Sequence, residues 1–132
     1  MSRIYLDTCI IIYLIEKHPN YSSKIETLLT NLTQSELCYS PLTRLECFVM
    51  PFRTNDLALL RTYETFFNAQ KLLTMSTETF DEAAKLRANF TTLKTPDALH
   101  LATTFYHNCD ELWTNDNRLS QISPIVKNIL IV

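Results

Sequence analysis

The sequence predicts an α/β protein in three layers, α/β/α, with helices on both faces of a mainly parallel central sheet of about five strands. Three observations carry this prediction. Short runs rich in apolar and β-branched residues alternate along the chain with longer amphipathic segments, the order that builds parallel sheets through helical crossovers. The first run, Ile4-Tyr5-Leu6, is apolar throughout, as a strand covered on both faces must be. Two runs end the same way, in a hydroxyl and an acid: Leu6-Asp7-Thr8, and Trp113-Thr114-Asn115-Asp116.

The elements follow in order. Ile4 to Leu6 favour a strand, which stops at Asp7. A helix from Thr8 to about Glu16 follows and ends before the Pro19-Asn20 turn. Tyr21 to Leu32 carries Ile25, Leu28, Leu29 and Leu32 at helical spacing. Leu37-Cys38-Tyr39 is the second strand. Pro41 suits the first turn of a helix that Pro51 limits to about Met50. Thr54 or Asn55 caps a fourth helix to about Ala69, and Lys71 to Met75 is a third strand. Another helix spans Thr77 to Phe90. Thr95, Pro96 and Asp97 read as N-cap, N1 and N2 of a helix to about His107. Glu111 to Thr114 and Asn128 to Val132 supply the last two strands. No linker or repeat interrupts the 132 residues, which read as a single domain over 1–132.

Composition narrows the function. The formal charge is 12 − 14 = −2, which argues against a generally basic nucleic-acid-binding surface but not against local basic patches. Cys9, Cys38, Cys47 and Cys109 form no C-x-x-C pair, so free thiols in a reducing cytoplasm are expected rather than a zinc site or a disulfide framework. No secretory signal and no membrane-spanning run is read. The chain has no glycine, and this rules out glycine-rich phosphate loops and dinucleotide fingerprints. Phosphate chemistry would have to rest on metal ions or side chains.

Four acids remain as candidates, each with an ordinary alternative. Asp7 and Asp116 follow strands of a parallel sheet and so share its carboxyl rim, where open α/β sheets place function; as single residues they also suit a helix cap and a turn. Asp97 can simply complement a helix dipole. Glu46 sits among Leu45, Cys47, Phe48, Val49 and Met50. A carboxylate there is costly unless paired, hydrogen-bonded or metal-bound, although it can rotate to water at the helix boundary.

The segments I-Y-L-D-T, S-P-L-T-R-L-E, T-P-D-A-L-H-L-A-T-T and L-W-T-N-D-N-R-L, taken in order over the whole chain, resemble the PIN-domain family, and within it the small VapC-type ribonuclease toxins. The resemblance implies that Asp7, Glu46, Asp97 and Asp116 gather in one pocket as catalytic residues and ligands of Mg²⁺ or Mn²⁺. Hard divalent ions prefer such oxygen donors, and they support in-line phosphodiester hydrolysis. Products with a 5′-phosphate and a 3′-hydroxyl are implied. Thr8 and Thr114 are expected to orient the acids, and Lys94 and Arg118 to contact substrate phosphates. The resemblance further implies an RNA substrate, a cognate antitoxin that blocks the pocket with a basic side chain, a homodimer through the helices from Tyr21 to Ala69, and a cytoplasmic location with no membrane partner. The family more often has a small polar residue where Cys9 stands.

Two other readings stay open: a PIN-type nuclease of RNA processing or of DNA, and a non-catalytic interaction module that keeps the fold. A phosphatase of the haloacid-dehalogenase kind needs a second aspartate two residues after the first, and Cys9 occupies that position. His100, three residues after Asp97, reads as a packing or orienting residue more readily than as a ligand, since the candidate site is built of oxygens.

Overall fold

A computed structural model describes residues 1–130 of the chain. Five parallel strands, β1 (Ser2–Leu6), β2 (Ser35–Tyr39), β3 (Lys71–Leu72), β4 (Glu111–Thr114) and β5 (Val126–Asn128), form one sheet in the order β3-β2-β1-β4-β5. Seven helices connect them among the described residues: α1 (Thr8–Ile15), α2 (Ser22–Thr30), α3 (Pro41–Thr54), α4 (Leu57–Asn68), α5 (Thr77–Asn89), α6 (Thr95–Tyr106) and α7 (Asn117–Ser120). The expected three-layer architecture is therefore present, with every strand pair parallel.

Side chains that alternate along each strand divide the core in two, as the strand period requires. Ile4, Leu6, Tyr39 and Trp113 face Ile10, Ile25, Phe48, Tyr63 and Phe67 of helices α1 to α4. Tyr5, Cys38 and Leu112 face Ala83, Leu86, Leu101 and Ala102 of α5 and α6. Buried on both sides, β1 is the central strand, with β2 on one side of it and β4, reached in the chain only after β3, on the other. Its carboxyl end is thus the point where connections diverge, the usual crevice of such sheets. Asp7 stands there, its N–H donating to the Trp113 carbonyl at 2.9 Å.

Several boundaries differ from expectation. Helix α3 runs past Pro51 to Thr54. The missing N–H costs one helical bond, but the Pro51 ring is buried and Asn55 closes the helix at φ 53° with its N–H on the Pro51 and Phe52 carbonyls. Asparagine tolerates that left-handed position, which a glycine-free chain must fill with another residue. Asp56, rather than Thr54 or Asn55, caps α4 by accepting from the Leu59 N–H at 3.0 Å. Lys94 is the N-cap of α6, so Thr95, Pro96 and Asp97 each sit one position deeper than expected. The third strand is shorter than Lys71 to Met75, and the last is Val126–Asn128 rather than Asn128 to Val132. Of the expected last strand, residues 131 and 132 lie outside the described residues. All four cysteines are free thiols, and no described helix is long and apolar enough to cross a membrane.

Candidate active site

Four separate segments carry the four acids to one place. Asp7 ends β1, Glu46 lies in the second turn of α3, Asp97 in the first turn of α6, and Asp116 follows β4 as the N-cap of α7. All four line a single open cleft of about 520 Å³, together with Thr8, His100, Asn115 and Arg118.

Asp7 is buried, and both of its oxygens are used. Oδ1 accepts the Thr8 N–H at 2.8 Å and so caps α1, while Oδ2 accepts the Thr114 hydroxyl at 2.7 Å. The same Thr114 oxygen accepts the Asp116 N–H at 3.0 Å, so one hydroxyl ties the ends of the two central strands together. The Thr8 hydroxyl donates to Glu46 Oε1 at 2.7 Å, across to α3.

Glu46 Oε1 also meets His100 Nε2 at 2.7 Å. A carboxylate can only accept, so the proton is assigned to Nε2. His100 Nδ1 lies 2.6 Å from the Tyr5 hydroxyl. The Tyr5 oxygen lies 2.8 Å from Ser40 Oγ and 3.3 Å from Thr43 Oγ1, and Thr43 Oγ1 accepts the Ser40 N–H. Tyr5 and His100 are almost wholly buried, at 0% and 2% exposure. Burial pushes the Glu46 carboxyl up, but the His100 and Thr8 hydrogen bonds and the His100 charge outweigh it and hold the group below its ordinary value. Burial drives the Tyr5 phenol far above its usual range, so it keeps its proton.

Asp116 is held from outside. Arg118 grips it through Nη2 at 3.0 Å and Nε at 3.3 Å, and the Arg118 N–H adds a bond at 2.8 Å. The Arg118 side-chain hydrogen bond lowers the carboxyl below its ordinary value, against opposing burial. Asp97 is half-buried. Burial raises its pKa first, and the charges of Asp7 and Asp116 raise it further, the signature of negative charge crowded into one cleft. Cys9 is pushed up to about 12 by burial and then by Asp7, so it stays a thiol.

The donor set suits a hard divalent cation: four carboxylates line one cleft and the flanking cysteine is protonated. As the side chains stand, no three His, Cys, Asp or Glu groups among the described residues converge closely enough to hold an ion, because Glu46 turns to Thr8 and His100, and Asp116 to Arg118. Lys94 is exposed at the start of α6 and lines neither this cleft nor the cavity beside it. Sequence reasoning missed Tyr5, read there only as a strand residue. One signal was available: a tyrosine hydroxyl pointing into the core needs a partner.

The profile of a family described as PIN domain matches residues 4–123. No curated protein matches the chain, but solved structures do. A toxin–antitoxin complex from Klebsiella pneumoniae is 22% identical with a TM-score of 0.77, covering 96% of this chain and 97% of that one. VapBC-1 from nontypeable Haemophilus influenzae is 20% identical with a TM-score of 0.79, covering 98% and 100%. Mycobacterium tuberculosis VapC20, a sarcin–ricin loop cleaving toxin, is 13% identical with a TM-score of 0.74, covering 91% and 95%. At these identities the likeness is one of fold.

Proposed function

The chain belongs to the PIN domain family, and from that premise we propose that it is a divalent-metal-dependent endoribonuclease, the toxin of a type II toxin–antitoxin pair. The observation that carries the reading is the shared cleft: carboxylates from β1, α3, α6 and the end of β4 open into one space. A scaffold has no use for such a cluster, since crowded like charges destabilise a fold. Asp7, Glu46, Asp97 and Asp116 would hold Mg²⁺ or Mn²⁺. When bound, the ion supplies charge neutralisation and an activated water for phosphodiester hydrolysis, leaving a 5′-phosphate and a 3′-hydroxyl.

The chain's own residues do the rest. Thr114 fixes Asp7 by taking one of its oxygens, and Thr8 and His100 fix Glu46. Arg118, on the cleft wall, and Lys94, exposed at the start of α6, offer positive charge to substrate phosphates. The whole of 1–132 acts as one unit.

The fold is shared with toxins solved as toxin–antitoxin complexes, which supports a cognate antitoxin here. Its basic side chain would enter the acidic cleft as Arg118 already does. A homodimer is supported by exposed Leu45, Val49 and Phe52, which fall on one face of α3, and by exposed Leu57 at the start of α4. Apolar side chains clustered in this way mark contact surfaces. A toxin that cuts the cell's own RNA would act in the cytoplasm.

The test is cleavage of RNA by the purified chain. Wild type is expected to cut in Mn²⁺ or Mg²⁺ and to stop when the ion is chelated. Asp7→Asn and Asp97→Asn are expected to lose cleavage and to relieve growth arrest on expression. Equal cleavage by both variants, with contaminating nucleases excluded, would overturn the reading.

A further inference from the structure

We propose that the cavity beside the acid cleft seats one unpaired nucleobase of the RNA strand, the base adjoining the phosphate that is cut. This rests on the ribonuclease reading and adds to it a place for part of the substrate. The cavity measures about 310 Å³, at the lower edge of small-molecule pockets, which run from roughly 300 to 1,000 Å³. That size suits one ring system rather than several.

Its lining is of two kinds. Phe90, Leu93, Leu119 and Ile122 give it apolar walls, and the Gln121 amide adds a donor and an acceptor. Asp97, Asp116 and Arg118 form the side it shares with the cleft. A strand held by its phosphate among those carboxylates therefore brings an attached base to the mouth of this cavity. The apolar walls receive the ring faces, and the amide meets the ring edge. Aromatic stacking combined with edge contacts is how proteins recognise unpaired bases, whereas in a duplex the base is already stacked and its face is out of reach.

The cavity is held open by bonds within the chain. Arg87 Nε donates to the Leu93 carbonyl at 3.0 Å and Arg87 Nη1 to the Thr95 hydroxyl at 3.0 Å. The Leu93 N–H closes a turn onto the Phe90 carbonyl at 2.9 Å. On the opposite wall the Ile122 N–H donates to the Leu119 carbonyl at 3.0 Å. These bonds fix the backbone at Phe90, whose ring lines the cavity and remains 40% exposed. A large apolar ring left half in water beside a cleft of acids is the feature that a stacked base would cover.

The experiment uses the purified full chain with Mn²⁺ and a randomised single-stranded RNA pool, with cut ends sequenced to define a preferred site. An oligonucleotide of that sequence is then made with a single abasic ribose on either side of the cut. Phe90→Ala is expected to raise KM about tenfold, the scale of one lost base–aromatic stack, with kcat and melting temperature close to wild type. One of the two abasic substrates should cost the wild type a similar factor and cost Phe90→Ala nothing more. Phe90→Trp should restore KM. Phe80→Ala, an exposed ring on α5 outside this cavity, should leave it unchanged. Gln121→Ala should change which base is preferred at that one position. If the wild type cuts RNA but Phe90→Ala matches it in KM and cut pattern, the base seat is overturned while the ribonuclease reading stands, and a side chain of a protein partner becomes the better occupant. If the wild type cuts no RNA, both fall together.

Discussion

The two sides of the cleft hold a carboxylate in opposite ways. On the α3 side, Glu46 is gripped by His100, which is 2% exposed and itself anchored by Tyr5 in the core. On the α7 side, Asp116 is gripped by Arg118, whose side chain is 71% exposed and comes from the same short helix. The contrast teaches that similar hydrogen-bond lengths do not imply similar constraint. A buried network is costly to break because each lost partner leaves another group unsatisfied, while an exposed ion pair is screened by water and easily exchanged. Glu46 is thus the fixed post of the site, and Asp116 the member free to trade its cation for another.

The largest way to break this comparison is at His100. His100→Ala should cost about 2–4 kcal/mol of stability in a denaturant melt, through lost packing and stranded hydrogen bonds. It should weaken Mn²⁺ binding about 10–100-fold, as loss of a ligand's supporting partner does. Tyr5→Phe tests the same chain one step further back. It removes a single buried oxygen that never reaches the cleft, so weaker Mn²⁺ binding there, smaller than for His100→Ala, would have to pass through His100. Unchanged Mn²⁺ affinity in Tyr5→Phe, with the protein folded, would reduce the network to packing.

Arg118→Ala should behave in the opposite sense. Its melting temperature should stay close to wild type, and Mn²⁺ should bind at least as tightly, because Asp116 loses its resident cation. KM for RNA should rise with the loss of a phosphate contact. Weaker Mn²⁺ binding in this variant would mean that both sides of the cleft are equally structural.

The smallest effect is a proton balance. Burial raises both Tyr5 and Tyr63 above the usual phenol range, so the folded chain keeps these protons while the unfolded chain loses them near pH 10. Their contribution to stability is complete below about pH 10 and falls as pH rises above it. In an alkaline titration followed by tyrosinate absorbance, two of the six tyrosines should ionise only together with unfolding. Ionisation of all six before the fold is lost would contradict the buried assignments.

Much of this is legible in the sequence, and the reasons are local. An apolar run stopping at Asp7, and another at Thr114-Asn115-Asp116, fix strand ends by composition alone, and parallel topology then puts both ends on one rim. Asp97 was legible because proline marks a first turn. What stayed hidden depends on approach between distant segments. The bond from Thr8 to Glu46 joins residues 38 apart, and that from Tyr5 to His100 joins residues 95 apart; no local spacing encodes either. Pro51 misled for the converse reason, since packing and the Asn55 cap outweigh a local breaker signal. The short helix α7 was missed because four residues leave no period to read.

The central claim, that four carboxylates from distant segments act together on one cation, is tested most directly by titrating Mn²⁺ into the metal-free chain in a calorimeter. The wild type should bind with a heat signal that disappears in Asp97→Asn, with its circular dichroism unchanged. A wild-type chain that takes up no Mn²⁺, or an Asp97→Asn variant that binds it as tightly as the wild type, would contradict the account.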